Sequence, residues 1–245
     1  MREDEAIDMP DEIKDKFENI SFVVDVMHVN GNVFMIAKSF NIGHISAVPL
    51  TKLGEDQYIE AFDEIVKEYN TRGGVVKVIF GDGAFECIKP NLAGKKITFV
   101  KCDTKKHVPV IERCIQDVKN QIRCARMMMP YKTLPKRFTI KMVKRTILIM
   151  TSLVRKNNHI QPVQSPRQLV TGLPLRMPKA QVGQYIQAHT GGNSATDVER
   201  TSDALYIGRT DSKSGHLVYK LKTYKVVTVN RVTVIPCTET HIDTE

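Results

Sequence analysis

The chain has 245 residues, of which 42% are hydrophobic and 26% charged, and its formal net charge is +9. This composition is typical of a globular protein with one domain of ordinary size and a smaller one, and its apolar runs are too short to span a bilayer. The first residues lack the apolar core of a signal peptide, and the five cysteines form no C-x-x-C pair. We therefore expect an intracellular protein with reduced cysteines and no structural zinc site.

The first two thirds of the chain alternate strand and helix patterns. After an acidic tail at 1–20, hydrophobic periodicity predicts an α/β domain over 21–155 with a mixed five-stranded sheet and flanking helices. Asn30-Gly31 is predicted as a hairpin turn. The predicted strands are 21–29, 32–39, 44–50, 75–80 and 97–100, and the predicted helices are 56–69, 108–127 and 138–154.

The last third has a different pattern. Residues 156–184 contain several prolines and are predicted to form a linker across the surface. From 185 to 245, short apolar segments alternate with turn signals, which predicts a small β-barrel. We expect this domain to bind nucleic acid. The predicted strand segments are Tyr185–Ala188, Ala204–Ile207, His216–Leu221 and Val226–Val234.

Three acidic residues stand out within these elements. Asp25 interrupts an apolar strand, Asp82 closes a buried strand, and Glu112 begins a helix. A buried carboxylate without a partner is costly, so an acid in such a place faces solvent or a site. Two strand-borne aspartates and one helix-borne glutamate can converge on a pair of divalent cations, because hard cations take oxygen ligands. We predict that these three acids bind Mg²⁺ (or Mn²⁺) and are catalytic.

Each acid also has a structural interpretation when it is taken alone. Asp25 is then a strand-end aspartate that binds backbone amides, Asp82 is a turn residue, and Glu112 is favoured by the dipole at the start of its helix. Glu86, in the same short motif as Asp82, is an alternative third ligand.

Positive charge is concentrated in residues 101–180. That segment holds eighteen Lys and Arg against three acids, a net of +15, which exceeds the excess of the whole chain. The excess predicts a phosphate-binding surface, and the alternative is a solvated basic face. The predicted DNA-binding residues are Gln116, Lys119 and Arg123 on the helix at 108–127, and Lys141, Lys144 and Arg145 on the next helix.

Several short motifs occur in a characteristic order. Asp25 lies in D-V-M-H-V-N-G-N, Asp82 in G-D-G-A-F-E and Glu112 in V-P-V-I-E-R, and S-P-R-Q-L-V-T-G-L-P-L follows at 165–175. Together with the segment at 204–236, this order resembles the integrase of copia-type LTR retrotransposons. The resemblance covers about 21–236.

The resemblance implies an RNase H-like catalytic core that carries an Asp-Asp-Glu triad. It also implies Mg²⁺- or Mn²⁺-dependent strand transfer of element DNA ends into target DNA, homo-oligomers on DNA, function in the nucleus and origin as a fragment of a polyprotein. No membrane or small-molecule partner is expected. Two other functions fit the same residues: a DNA-binding remnant without catalysis, and an RNase H-type nuclease that uses water alone as nucleophile.

Overall fold

The computed structural model describes residues 19–102, 109–131, 133–154, 164–176, 178–189, 191, 199–210 and 215–237. Two compact units are distinguished: residues up to Asn120 together with Thr146–Leu175, and Gln121–Arg145 together with Arg176–Glu245. Among the described residues, no helix is both long and apolar enough to cross a bilayer. The elements in chain order are β1 (Ile20–Val29), β2 (Asn32–Ser39), β3 (Ile45–Leu50), α1 (Glu55–Asn70), β4 (Val76–Gly81), a 3₁₀ helix (Gly83–Ile88), α2 (Lys89–Gly94), β5 (Thr98–Lys101), α3 (Pro109–Met127), α4 (Lys136–Ser152), α5 (Pro166–Thr171), β6 (Tyr185–His189), β7 (Thr201–Arg209), β8 (His216–Lys220), β9 (Lys225–Val229) and β10 (Val232–Val234).

The first unit contains a mixed five-stranded sheet in the order β3-β2-β1-β4-β5. Strands β1, β2 and β3 pair antiparallel, whereas β4 and β5 run parallel to β1. The turn between β1 and β2 has positive φ at both Asn30 (46°) and Gly31 (71°), which suits the Asn-Gly hairpin turn expected there. The sheet and its flanking helices confirm the RNase H-like fold class predicted from the sequence.

Helix α1 covers one face of this sheet with an apolar stripe. Tyr58, Phe62, Ile65 and Tyr69 are buried at helical spacing. Phe22 of β1 packs against two of them, with ring centroids 5.9 Å from Phe62 and 6.0 Å from Tyr69. This aromatic cluster holds β1 and β4 in place from behind, and so fixes the strands that carry the first two predicted acids.

Helix α5 lies within residues 156–184, for which the sequence predicted a linker and no helix. Its start is a capping box in which the Ser165 hydroxyl accepts from the Gln168 N–H while the Gln168 side chain accepts from the Ser165 N–H. Leu169 and Val170 are fully buried in the core of the first unit. The prolines of the segment were interpreted as linker signals, although Ser-Pro-x-Gln is also a signal for the start of a helix.

The second unit contains an antiparallel five-stranded sheet in the order β10-β6-β7-β8-β9. Its two edge strands, β9 and β10, are consecutive in the chain and are connected through Asn230 and Arg231, as expected for a small barrel. The barrel-like character agrees with the prediction, but the single strand expected at 226–234 is two strands. Its core consists of alanines, branched aliphatic residues and one tyrosine: Ala180, Ile186, Ala188, Ala204, Tyr206, Val218, Val229 and Val232.

Candidate active site

The pairing of β1 with β4 places two of the predicted acids side by side. Val23 lies opposite Phe80 in this parallel pair, so Asp25 and Asp82 come two residues further along each strand. Neighbouring strands are about 4.8 Å apart, and residues two apart share a face of a sheet. Asp25 is half-buried and Asp82 is exposed. Asp25 and Asp82 therefore occupy neighbouring backbone positions where β4 ends.

The close packing around Gly81 supports this register. It also explains why the residue before Asp82 is a glycine. A Cβ at position 81 would lie 3.0 Å from Cγ2 of Val24, 3.2 Å from the Phe99 ring and 3.3 Å from the Phe85 ring. Val24 and Gly81 are thus in contact on the α1 side of the sheet. The following residues, Asp25 and Asp82, belong to the opposite face by the alternation of a strand.

Both aspartates accept hydrogen bonds from nearby backbone amides. Asp82 is the N-cap of the 3₁₀ helix, where its Oδ1 accepts from the Ala84 N–H at 3.0 Å. The Oδ1 of Asp25 accepts from the Val26 N–H at 2.7 Å. These bonds are the structural roles considered for the two acids as alternatives to metal binding.

Glu86, the alternative third ligand, is engaged in an ion pair. Its Oε2 lies 3.0 Å from Nζ of Lys101, and both side chains are 50% exposed. A cation that binds Glu86 would therefore have to displace the ammonium of Lys101.

Glu112 lies in the first turn of α3 and is half-buried. The same helix buries Ile111, Val118 and Ile122, as its apolar stripe predicts. Across the described part of the chain, no three or more His, Cys, Asp or Glu side chains are grouped closely enough to hold a metal ion. The structure thus brings Asp25 and Asp82 together and leaves the convergence of Glu112 with them as a prediction.

Tyr58 of α1 lies near Asp82 and the 3₁₀ helix that follows it. Its ring centroid lies 4.9 Å from that of Phe85 in the 3₁₀ helix. Burial raises the pKa of the Tyr58 hydroxyl, and the nearby Cys87 and Asp82 raise it further. Tyr58 therefore stays neutral around pH 7 and can offer a hydrogen-bond donor but no base.

The predicted DNA-binding residues differ in exposure. On α3, Gln116 and Arg123 are exposed and Lys119 is half-buried, and on α4, Lys141 and Lys144 are half-buried. Their long aliphatic stems can be covered while the charged ends reach water.

Arg145 is an exception and corrects the sequence interpretation. It is only 6% exposed, and its side chain lies against the backbone of β7, where a Cβ at Gly208 would be 2.8 Å from its Nε. The helical spacing that placed Arg145 beside Lys141 and Lys144 did not reveal that β7 carries a glycine to receive it. A guanidinium as buried as that of Arg145 does not suit the predicted contact with a DNA phosphate.

Comparison with known proteins yields neighbours in structure and none in sequence. No protein-family model matches the chain, and neither does any curated protein. Among solved structures, the HTLV-2 integrase catalytic core domain, determined in complex with magnesium in a trimeric form, is 16% identical with a TM-score of 0.48 and covers 62% of this chain and 97% of that one. The BIV integrase catalytic core domain is 16% identical with a TM-score of 0.44 (61% and 92% covered). The simian T-cell lymphotropic virus intasome, in complex with the PP2A regulatory subunit B56 gamma, is 12% identical with a TM-score of 0.48 (90% and 80% covered).

Likenesses at this level of identity and TM-score do not establish an activity.

Proposed function

We propose that this protein is an integrase-type polynucleotidyl transferase that joins the ends of one DNA to another in a divalent-metal-dependent reaction. The observation that carries the proposal is the parallel register of β1 and β4, which brings Asp25 and Asp82 to neighbouring positions where β4 ends. A bound cation would offset the repulsion of two carboxylates that both ligate it. Clustered acids at a strand end are a common way to build a site for phosphate chemistry.

The chemistry of the proposed ligands fits Mg²⁺ or Mn²⁺. Asp25, Asp82 and Glu112 offer only oxygen donors, which are the ligands that these cations prefer. Bound ions would supply charge stabilisation for the attacking and leaving oxygens of the phosphoryl transfer. The protein's own contribution is to hold Asp25 rigidly within a central strand and to hold Asp82 at a helix cap.

The basic helices supply the proposed DNA contacts. Lys119 and Arg123 on α3, with Lys141 and Lys144 on α4, carry positive charge in the segment with the largest excess of Lys and Arg. Contacts to phosphates position a duplex without reading its sequence. We propose accordingly that DNA binding is strongly salt-dependent and tolerant of sequence. Oligomers assembled on DNA, element ends as substrate and action in the nucleus belong to the same proposal.

The variant Asp82→Asn tests the proposal in a strand-transfer assay with labelled duplex DNA and Mg²⁺ or Mn²⁺. Asparagine keeps the size of the side chain and can still accept from the Ala84 N–H, so the 3₁₀ helix keeps its cap. We expect transfer to fall to background while DNA affinity and melting temperature stay near those of the wild type. The matched control is Asp63→Asn, which removes an acid from the exposed side of α1.

Different outcomes separate the rival functions. Transfer by Asp82→Asn at the wild-type rate would show that Asp82 is not a ligand. Wild-type protein that only cuts DNA, with water as nucleophile, would be an RNase H-type nuclease.

A DNA-binding remnant without catalysis is the second candidate. It is favoured by the backbone hydrogen bonds of Asp25 and Asp82, because capping alone gives both acids a structural role. It predicts salt-dependent DNA binding with no metal-dependent product from either wild type or variant.

A further inference from the structure

An ion pair of two half-exposed side chains lies at the end of β5. The Nζ of Lys101 lies 3.0 Å from Oε2 of Glu86, and each side chain is 50% exposed. Lys101 ends strand β5, and Glu86 lies in the 3₁₀ helix that follows Asp82. The proposed function uses neither residue.

Strand pairing places the Lys101 ammonium beside the candidate active site. Lys101 lies opposite Gly81 in the parallel pair of β4 and β5. A Cβ at Gly83 would lie 3.4 Å from Cε and 3.6 Å from Nζ of Lys101. The end of the lysine side chain therefore lies over Gly83, directly after Asp82 in the chain.

The contact with Glu86 is easily exchanged. Ion pairs between exposed side chains contribute little to stability, because water screens both charges and two long side chains lose freedom. A phosphate oxygen offers the ammonium an equally short, charge-assisted hydrogen bond. Because half of each side chain faces solvent, Lys101 can change partner without any movement of the strands.

We propose that Lys101 is a DNA-binding residue that contacts a phosphate of the strand held at the candidate active site, and that Glu86 occupies the ammonium until DNA displaces it. This inference rests on the proposed function, since it takes DNA as the ligand of that site. It adds a positive contact to those proposed for the basic helices. It also gives Glu86 a role as counter-ion to Lys101 in place of a role as metal ligand.

The first unit provides a matched control for this ion pair. Lys95 pairs with Asp63 of α1, and these side chains are 37% and 50% exposed. Lys95 follows α2 and is not in the strand pair that ends at Asp82. Variants of Lys95 and Asp63 therefore remove the same charges from the same unit without touching the proposed contact.

A double-mutant cycle on the whole chain tests the exchange. Affinity for a short DNA duplex is measured at several salt concentrations for wild type, Lys101→Gln, Glu86→Gln and the double variant. We expect Lys101→Gln to weaken binding about two- to fivefold, the range of an exposed ion pair, and to lower the salt slope by about one. Glu86→Gln should strengthen binding in the wild-type background and have no effect beside Lys101→Gln, because Glu86 acts only through Lys101.

Further measurements separate the possible failures. Lys101→Arg should retain affinity, whereas Lys95→Gln and Asp63→Asn should leave it unchanged. Unchanged binding by Lys101→Gln, or the same gain from Glu86→Gln in both backgrounds, would overturn the exchange while leaving the proposed function standing. Loss of Mn²⁺ binding by Glu86→Gln would make Glu86 a ligand and also overturn it. If the wild type itself does not bind DNA, the proposed function fails first.

Discussion

The end of β4 in the first unit and the interior of the second unit use polar residues in opposite ways. Around Asp82, the charged groups are exposed or half-buried, and Lys101 and Glu86 pair with each other at the surface. In the second unit, Tyr206 and His216 are almost fully buried, at 0% and 1% exposure, and their side chains are hydrogen-bonded to each other. Groups of the first kind can change partner at little cost, whereas groups of the second kind are fixed by the cost of leaving them unpaired.

The buried pair in the second unit forms a short chain of hydrogen bonds. The backbone N–H of Lys179 donates to the Tyr206 hydroxyl at 3.3 Å, and that hydroxyl lies 3.1 Å from Nδ1 of His216. Since the hydroxyl oxygen already accepts from Lys179, we assign its proton to the bond with His216. The pKa of His216 is lowered, first by burial and then by the positive charges of Arg209 and Lys179. The polar residues of this interior thus contribute to stability, whereas those at the end of β4 are the ones proposed to bind metal and DNA.

The largest effect is expected from the apolar support behind the first site. Phe22→Ala removes a fully buried ring from the cluster with Phe62 and Tyr69, which should cost about 3–5 kcal/mol of unfolding free energy. Phe40→Ala, at a ring 41% exposed and edge-on to Phe80, should cost only about 0.5–1.5 kcal/mol. Urea unfolding compares the two. Equal losses would mean that the aromatic cluster does not hold β1 in place.

A smaller loss is expected from the buried chain of hydrogen bonds. Tyr206→Phe keeps the ring but leaves the Lys179 N–H and the His216 Nδ1 without their bond to the hydroxyl. The cost should be about 1–3 kcal/mol of unfolding free energy, with little change in DNA affinity at neutral pH. A variant as stable as the wild type would show that the buried hydrogen bonds of the second unit add no more stability than the exposed contacts at the end of β4.

The smallest effect should be visible only as a dependence on pH. Because the folded pKa of His216 lies below its ordinary value of about 6.5, the unfolded chain takes up the proton first as the pH falls. The contribution of His216 to stability is complete above about pH 6.5 and is lost progressively below it, down to the folded pKa. His216→Asn keeps an acceptor for Tyr206 but cannot be protonated, so its unfolding free energy should fall less between neutral and mildly acidic pH. Parallel pH curves for the two proteins would contradict the role assigned to His216.

Strand and helix positions could be predicted from the sequence where apolar residues recur on one face of the element. The stripe at Phe62, Ile65 and Tyr69 and the Asn30-Gly31 turn were enough to place α1 and the first hairpin. The register that places Asp25 beside Asp82 could be read only from the structure. No short-range sequence signal determines which residues of β1 and β4 lie opposite each other.

Contacts between distant segments were the part that the sequence did not reveal. The pairing of Lys101 with Glu86 and the burial of Arg145 against Gly208 both depend on which strands lie side by side. One signal was present in the sequence: Gly208 lies where the side chain of Arg145 needs room. The domain limits inferred from composition, the triad as a whole and the DNA contacts of the basic helices stay predictions.

The most direct test of the central claim is a Mn²⁺ titration of the whole chain followed by electron paramagnetic resonance, in which bound Mn²⁺ loses the signal of the free ion. If Asp25, Asp82 and Glu112 form a metal site, the wild type should bind about two ions. Asp25→Asn, Asp82→Asn and Glu112→Gln should each bind fewer or weaken the affinity, while Asp63→Asn binds as the wild type does. Wild-type Mn²⁺ binding by all three variants, or none by the wild type, would contradict the claim that these acids hold the metal.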